Sequence, residues 1–181
     1  MEHIRVNNYI RLEKVNLSMA PVIFSTMDKD RDYLRTWLPF VDQTIEVSDT
    51  EKFLNRIISD NENKKNEIFS IWYNEEFAGL IGFNEIDWLN RKTEIGYWLA
   101  KKMQGKGIVT ACVRKLIQYG YQKLKLNRIQ IKVAIGNTKS SAIPKRLGFV
   151  LEGVERSGEL HHNKYFDLEV YSRLKNDIPD N

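Results

Sequence analysis

A glycine-spaced turn, Gln104-Gly105-Lys106-Gly107, stands directly before the most regular helical stripe in the chain, and an equally regular strand follows. Val109, Cys112, Val113, Leu116, Ile117, Gly120 and Leu124 recur at steps of three and four, which stacks them on one helical face. From Arg128 to Ile135 the period drops to two: Ile129, Ile131, Val133 and Ile135 alternate with Arg128, Gln130, Lys132 and Ala134. The segment therefore reads as a strand–helix–strand unit with a glycine turn at the start of its helix. Few folds accommodate that unit beside the run of strands that precedes it.

That run begins at Glu67. Ile68 to Tyr73, Gly79 to Trp88 and Thr93 to Ala100 read as three consecutive strands, with Asn74-Glu75 and Asn90-Arg91 as polar turns, so antiparallel pairing is expected. Ahead of it lies a helical third, after an opening strand at Tyr9 to Val15. Ser18 is the expected cap of the first helix, with Pro21 in its first turn. A second helix runs from Asp32 to Leu38 and stops before Pro39. A third starts at a Ser48-Asp49-Thr50-Glu51 capping box. Asn137 caps a short helix ending near Leu147-Gly148. Phe149 to Val154 and Phe166 to Leu174 are the closing strands, joined through a loop from Ser157-Gly158 to Asn163. The order specifies a mixed α/β sheet covered by helices. No repeat, low-complexity tract or linker divides residues 1–181, so one domain is expected.

The glycine turn has a chemical reading. Glycines let backbone approach a ligand, and the first N–H groups of the following helix lack internal partners while facing the positive end of its dipole. A pyrophosphate suits such a site, with Lys102 and Lys106 expected at its rim. A nucleoside-triphosphate loop requires Ser or Thr after Gly-Lys, where this chain has Gly107; a dinucleotide fingerprint requires glycine at Thr110. Both fail. A plain glycine turn before a helix remains the alternative.

Composition narrows the partners. With 28 basic and 24 acidic residues the net charge of +4 is mild and dispersed, which argues against nucleic acid. One cysteine, Cys112, excludes an internal disulfide framework and falls on the buried helical stripe, a poor position for a nucleophile. No stretch has the length of a membrane span, and the first residues lack an export signal's apolar run. The expectation is a soluble cytoplasmic protein. His161-His162 has no further ligands at workable spacing, so no metal is expected.

Glu94-Ile95-Gly96-Tyr97-Trp98-Leu99, Gln104-Gly105-Lys106-Gly107, Asn137-Thr138-Lys139-Ser140 and Leu147-Gly148-Phe149 with Glu152-Gly153 together resemble the GNAT superfamily of acetyltransferases. More narrowly, with Asp32 to Phe40 and the Asp167 to Leu174 strand, the chain resembles the branch that acetylates ribosomal-protein N-termini. Val109 departs from the glycine or alanine usual in the superfamily's phosphate loop.

The resemblance implies a mixed, mostly antiparallel sheet with a splayed strand pair, the Tyr97–Ala100 end parting from Arg128–Ile135, and acetyl-CoA in the gap. Backbone N–H groups of Gln104, Gly105, Lys106, Gly107, Ile108 and Val109 would hold the pyrophosphate, with Trp98, Leu99 and Ala100 along the thioester end. Asn137 would hold the pantetheine arm. Ser140 would stand near the thioester sulfur, and a backbone N–H near Leu99 or Ala100 would face the oxyanion. Ser140 has the competing reading of an ordinary first-turn serine. Glu94 is the first choice of base and Glu85 the second; each can instead be a glutamate on a solvated strand face. Trp37, Phe40 and Trp88 are candidate walls of an acceptor cleft, or core. The implied acceptor is the N-terminal amine of a ribosomal or other protein, an amine of pKa about 7.7–8.0 against about 10.4 for lysine. A polyamine or aminoglycoside acetyltransferase and a non-catalytic acetyl-CoA sensor are the alternatives. Self-association is compatible with the branch, although the sequence carries no coiled-coil heptad.

Overall fold

The computed structural model describes residues 3–177. Eight strands form one sheet: β1 (His3–Arg5), β2 (Ile10–Lys14), β3 (Glu67–Tyr73), β4 (Glu76–Asp87), β5 (Lys92–Leu99), β6 (Arg128–Ala134), β7 (Val150–His161) and β8 (Lys164–Leu174). Their order is β1-β2-β3-β4-β5-β6-β8-β7. The helices are α1 (Ala20–Lys29), α2 (Arg31–Leu34), α3 (Val47–Glu62), α4 (Ile108–Gln122) and α5 (Thr138–Arg146).

Every neighbouring pair is antiparallel except β5–β6, which is parallel and holds only three residue pairs, Lys92–Arg128, Thr93–Ile129 and Glu94–Gln130. Beyond Glu94 and Gln130 the strands separate. This is the expected mixed, mostly antiparallel sheet with a splayed pair, the parting beginning two residues earlier than the Tyr97 end.

Alternation along the strands places two apolar clusters on opposite faces. Phe69, Ile71, Ile81, Phe83, Ile95, Ile129, Ile131 and Val133 meet the α4 stripe, whose Val109, Cys112, Val113, Leu116, Ile117 and Gly120 are buried as the spacing predicts. On the other face Leu80, Trp98 and Phe77 pack against Ile23 and Met27 of α1 and Leu54 of α3. α1 and α3 cover the β3–β5 half of that face, and beyond it lie the Arg128–Glu152 and Lys132–Glu155 ion pairs of β6 and β7.

The helix starts differ from expectation in detail. Asn16, not Ser18, is the first cap: its Oδ1 accepts from the Ser18 N–H at 3.0 Å, because a 3-10 turn (Leu17–Met19) precedes α1. α2 is a single turn that ends at Leu34 rather than Leu38, and Pro39 opens a second 3-10 turn (Pro39–Gln43). The Arg31 guanidinium donates to the Val41 and Thr44 carbonyls at 2.5 and 2.7 Å, tying that turn back to α2. α3 begins upstream of Ser48. The Asp49 carboxylate accepts from the Ile45 and Glu46 N–H groups at 3.1 and 3.2 Å, and Ser48 Oγ donates to Glu46 Oε1. Glu46 therefore occupies the cap position expected of Ser48.

The closing strands are longer than expected. The 157–163 loop is strand broken by a register shift between Glu155 and Glu159, and the turn is just His162-Asn163. Both have φ > 0 (47° and 60°), as in a two-residue type I′ hairpin. β1 has no counterpart in the sequence reading; three residues with no apolar alternation carry no signal.

One charged triad spans three strands. Arg128 of β6 donates to both Glu152 oxygens of β7 at 2.6 and 2.5 Å, while Ser172 of the intervening β8 donates at 2.7 Å. The Arg128 and Ser172 hydrogen bonds draw the Glu152 carboxyl down to about 2 from an ordinary 4.5. A depressed carboxylate contributes stability that is present above about pH 4.5 and lost as pH falls toward 2. Glu152→Gln is thus expected to flatten the acid-unfolding curve over that window, by about 1 kcal/mol or less because the group is largely open to solvent. Chemical denaturation repeated at several pH values reads the effect; equal pH slopes for wild type and variant would remove it.

Candidate active site

The parting of β5 and β6 opens a cavity of about 2020 Å³ that reaches both faces of the sheet. That is well above the roughly 300–1,000 Å³ of a single-ligand pocket, so there is room for two substrates to meet.

On the α4 face the cavity begins at the glycine turn. Gly105 and Gly107 have φ of +73° and +71°, and a Cβ at either would meet nothing within 4 Å. The glycines are therefore required by conformation, since the left-handed region disfavours a side chain, and not by crowding. The first helical bond of α4 runs from Ala111 N to Gly107 O at 3.0 Å. The N–H groups of Ile108, Val109 and Thr110 precede it and point out of the helix start. Gln104 bridges the mouth: its Nε2 donates to the Tyr33 hydroxyl and its Oε1 accepts from Lys139 Nζ at 3.0 Å.

The expected lysines turn elsewhere. Lys102 pairs with Glu76, and the Lys106 ammonium lies 5.1 Å over the Tyr73 ring. Basic groups on the cavity come instead from Arg114 and Lys115 of α4 and Lys139 and Arg146 of α5. Arg146 donates to Thr110 Oγ1 at 3.0 Å, which clamps α5 to the first turn of α4. Arg114 stands one turn above Thr110, a spacing that sequence alone would have disclosed.

Asn137 caps α5 as expected, its Oδ1 accepting from the Ser140 N–H at 3.2 Å. This fixes Ser140 in the first turn, facing the gap. There the Tyr97 hydroxyl lies 3.0 Å from Ser140 Oγ and donates to the Ser140 carbonyl at 3.2 Å. Burial pushes the Tyr97 phenol up to about 12, so it stays a neutral proton donor across the ordinary pH range. Tyr97 lay inside a quoted motif, yet an aromatic in a strand reads as core, and no sequence signal gave it a role.

The Ala100 N–H is spent on the Ala78 carbonyl at 2.8 Å, so it is unavailable to an oxyanion. Backbone N–H groups alternate in direction along a strand, which turns those of Leu99 and Tyr97 toward the gap. Trp98 points to the opposite face, its ring buried 6.0 Å from that of Phe77.

On that opposite face Glu94 lines the cavity, half-buried, with its Oε2 accepting from Gln130 Nε2 at 3.1 Å and standing 3.9 Å from Lys132 Nζ. Lys132 is held more tightly by Glu155 at 2.7 Å, which raises its pKa and keeps it charged. Glu85 is not on the cavity. Phe83 pairs with Ile95 but Ile86 with Thr93, so Asn84 and Glu85 together oppose Glu94 in a β-bulge. The bulge leaves Asn84 on the cavity and puts Glu85 outside. A second carboxylate arrives from β7: Glu159 lines the cavity and lies 2.9 Å from the buried His161 ring.

Trp37 and Phe40 form the outer wall with Phe53 and Arg56 of α3. Trp88 is remote, its indole N–H donating to the Lys64 carbonyl at 2.6 Å. His162 docks the β7–β8 hairpin against this wall, 2.9 Å from Asp42 and 3.1 Å from the Arg35 carbonyl. Cys112 is fully buried, with its thiol pushed up to about 12.

A parallel pair that opens beside a helix N-terminus, with a hydroxyl pair on one side and a carboxylate on the other, defines a class: transferases that take an acyl group from a coenzyme A thioester. Residues 10–150 match the acetyltransferase (GNAT) domain family. The chain belongs to that family, and it is an acetyl-CoA-dependent N-acetyltransferase. It is 36% identical over 175 residues to the putative ribosomal N-acetyltransferase YdaF of Bacillus subtilis (strain 168), covering 94% of each chain. It is 30% identical over 173 residues to the ribosomal-protein-serine acetyltransferase of Escherichia coli (strain K12), covering 96% of this chain and 97% of that one. Among solved structures it superposes on the microcin C7 self immunity acetyltransferase MccE in complex with acetyl-CoA and AMP with a TM-score of 0.91, at 35% identity over 94% of this chain and 95% of that one. Among the described residues no helix is long and apolar enough to cross a membrane.

Proposed function

We propose that the enzyme acetylates a protein N-terminal amine, by direct attack on the thioester while both substrates are bound. The observation that carries this reading is the through-sheet cavity, with Tyr97 and Ser140 on the helical face and Glu94 on the other. The free N–H groups at the start of α4 and the left-handed glycines suit the pyrophosphate, and Lys139, Arg114 and Arg146 add positive charge beside it. Unpaired backbone of β5 beyond Glu94 suits the amides of the pantetheine arm, as an added strand would.

Glu94, directly or through one water, takes the proton of the attacking amine. The N–C bond forms, the Leu99 N–H faces the carbonyl oxygen, and the C–S bond breaks. Ser140 hands a proton to the departing sulfur and takes one from the Tyr97 hydroxyl; solvent then returns a proton to Tyr97 as Glu94 releases the one it took from the amine, so both groups end the cycle as they began. An N-terminal amine suits this arrangement because half of it is already neutral near pH 8, so one half-buried carboxylate suffices. The names of the two relatives, one acting on ribosomal-protein serine, support the same acceptor class.

Peptides with a free N-terminus should be acetylated, and N-terminally blocked peptides carrying lysine should not. Thiol release in the presence of acetyl-CoA measures both. Efficient turnover of the blocked peptides would overturn the N-terminal reading and leave the acetyltransferase standing. A second reading, an acceptor that carries a nucleotide, rests on the rings of Trp37, Phe40 and Phe53 beside Arg56, which suit a planar base, and on the AMP in the MccE structure. Competition of AMP with the peptide would favour it.

A further inference from the structure

The β4 bulge presents one side chain that the reaction scheme leaves unused. Asn84 is exposed on the cavity floor, on the face that carries Leu80 and Trp98. It lies flat on Gly96: a Cβ built there would stand 2.5 Å from Asn84 Nδ2 and 2.8 Å from Oδ1. The absence of a side chain at Gly96 is therefore what seats the carboxamide. Gly96 is two residues from Glu94 on the same strand, so the carboxamide and the carboxylate share one floor. No described group hydrogen-bonds to the Asn84 side chain, leaving both its donor and its acceptor turned to the cavity.

We infer that Asn84 is a specificity-determining residue that reads the first peptide unit of the acceptor, its Nδ2 donating to the first carbonyl and its Oδ1 accepting from the amine. The inference rests on the N-terminal reading above and deepens it. An α-amine attached to a peptide has a carbonyl oxygen three bonds away; an alkylamine or polyamine has none. A neutral carboxamide beside Glu94 can therefore separate the two by a hydrogen bond that only the peptide completes, whereas a carboxylate alone attracts any ammonium. Once the bound acceptor shields the carboxamide from water, a hydrogen bond left unmade discriminates more sharply than contact area alone. Gly96 pairs with Gly82 and the bulge begins only after Phe83, so Asn84 stands opposite Glu94 and lays its carboxamide back over Gly96.

The test compares a tetrapeptide amide with a free N-terminus and butylamine as acceptors. In Asn84→Ala, kcat/KM for the peptide should fall at least about tenfold more than for butylamine, chiefly through KM. Asn84→Asp keeps the shape but loses the donor, and should show the same lost preference. Gly96→Ala should displace the carboxamide without removing it and shift the ratio in the same direction. Acetyl-CoA affinity, read by calorimetry, certifies that each variant is folded. An unchanged peptide-to-butylamine ratio in Asn84→Ala would overturn the assignment of Asn84 while the N-terminal acceptor stands. A wild-type enzyme that ignores the peptide would overturn both, and that result is visible before any variant is made.

Discussion

Glu94→Gln should lower the turnover rate by roughly 10²–10⁴-fold while acetyl-CoA affinity changes little. The substitution keeps the planar shape and the contact with Gln130, and removes only the capacity to hold the ammonium proton. Raising the pH should recover part of the loss, because solvent then supplies the neutral amine that Glu94 otherwise generates. Ser140→Ala behaves differently. Its defect lies at the departing sulfur, so more neutral amine gives no selective rescue, and the Tyr97 hydroxyl loses its 3.0 Å partner. The pH–rate profiles of the two variants, taken with one peptide at fixed saturation, separate the roles. A Glu94→Gln enzyme with wild-type rate across the range would return Glu94 to a strand-face residue held by Gln130 and Lys132. Glu159, the other carboxylate on that side of the cavity, would then be substituted next.

Gly107→Asp is expected to weaken acetyl-CoA binding at least tenfold, or about 1.4 kcal/mol. Two causes add. At a φ of +71° a side chain costs roughly 1–2 kcal/mol of backbone strain, which the turn can relieve only by moving the N–H groups of α4. The carboxylate then repels the phosphates. Gly107→Asn separates them, since asparagine tolerates the left-handed region and carries no charge. It should fall between wild type and the aspartate variant. Calorimetric affinity equal to wild type for a folded Gly107→Asp would remove this turn from the site.

What was legible in the sequence is what depends on periodicity. The α4 stripe, the β6 alternation and the Asn137 cap all stand where spacing puts them, because each is set by neighbours within a few residues. What was hidden depends on direction or on insertion. A bulge adds one residue to a strand without altering its composition, so Glu85 stands in the sequence as the second choice after Glu94, while the extra residue turns it out of the cavity. Lys102 and Lys106 flank the glycine turn in sequence, but their long stems reach Glu76 and Tyr73. Tyr97 meets Ser140 through a helix that begins 41 residues later, a relation that no local pattern contains. Ser18 and Ser48 yield the cap positions to Asn16 and Glu46 because helical geometry begins upstream of each, which puts both serines inside a first turn.

The three-rung junction between β5 and β6 bears on how the molecule holds together. Hydrogen bonding divides the sheet into a five-strand part and a three-strand part joined at that seam, while Ile129, Ile131 and Val133 of β6 share one apolar cluster with the α4 stripe. A ligand lying along the open seam bridges both parts at once. Occupancy at a hundred times the dissociation constant is worth about 2.7 kcal/mol of global stability. In this fold that gain acts where the native lattice is thinnest. On the binding mode proposed above, acetyl-CoA is a temporary ninth strand as well as a reactant, and each release of coenzyme A reopens the seam.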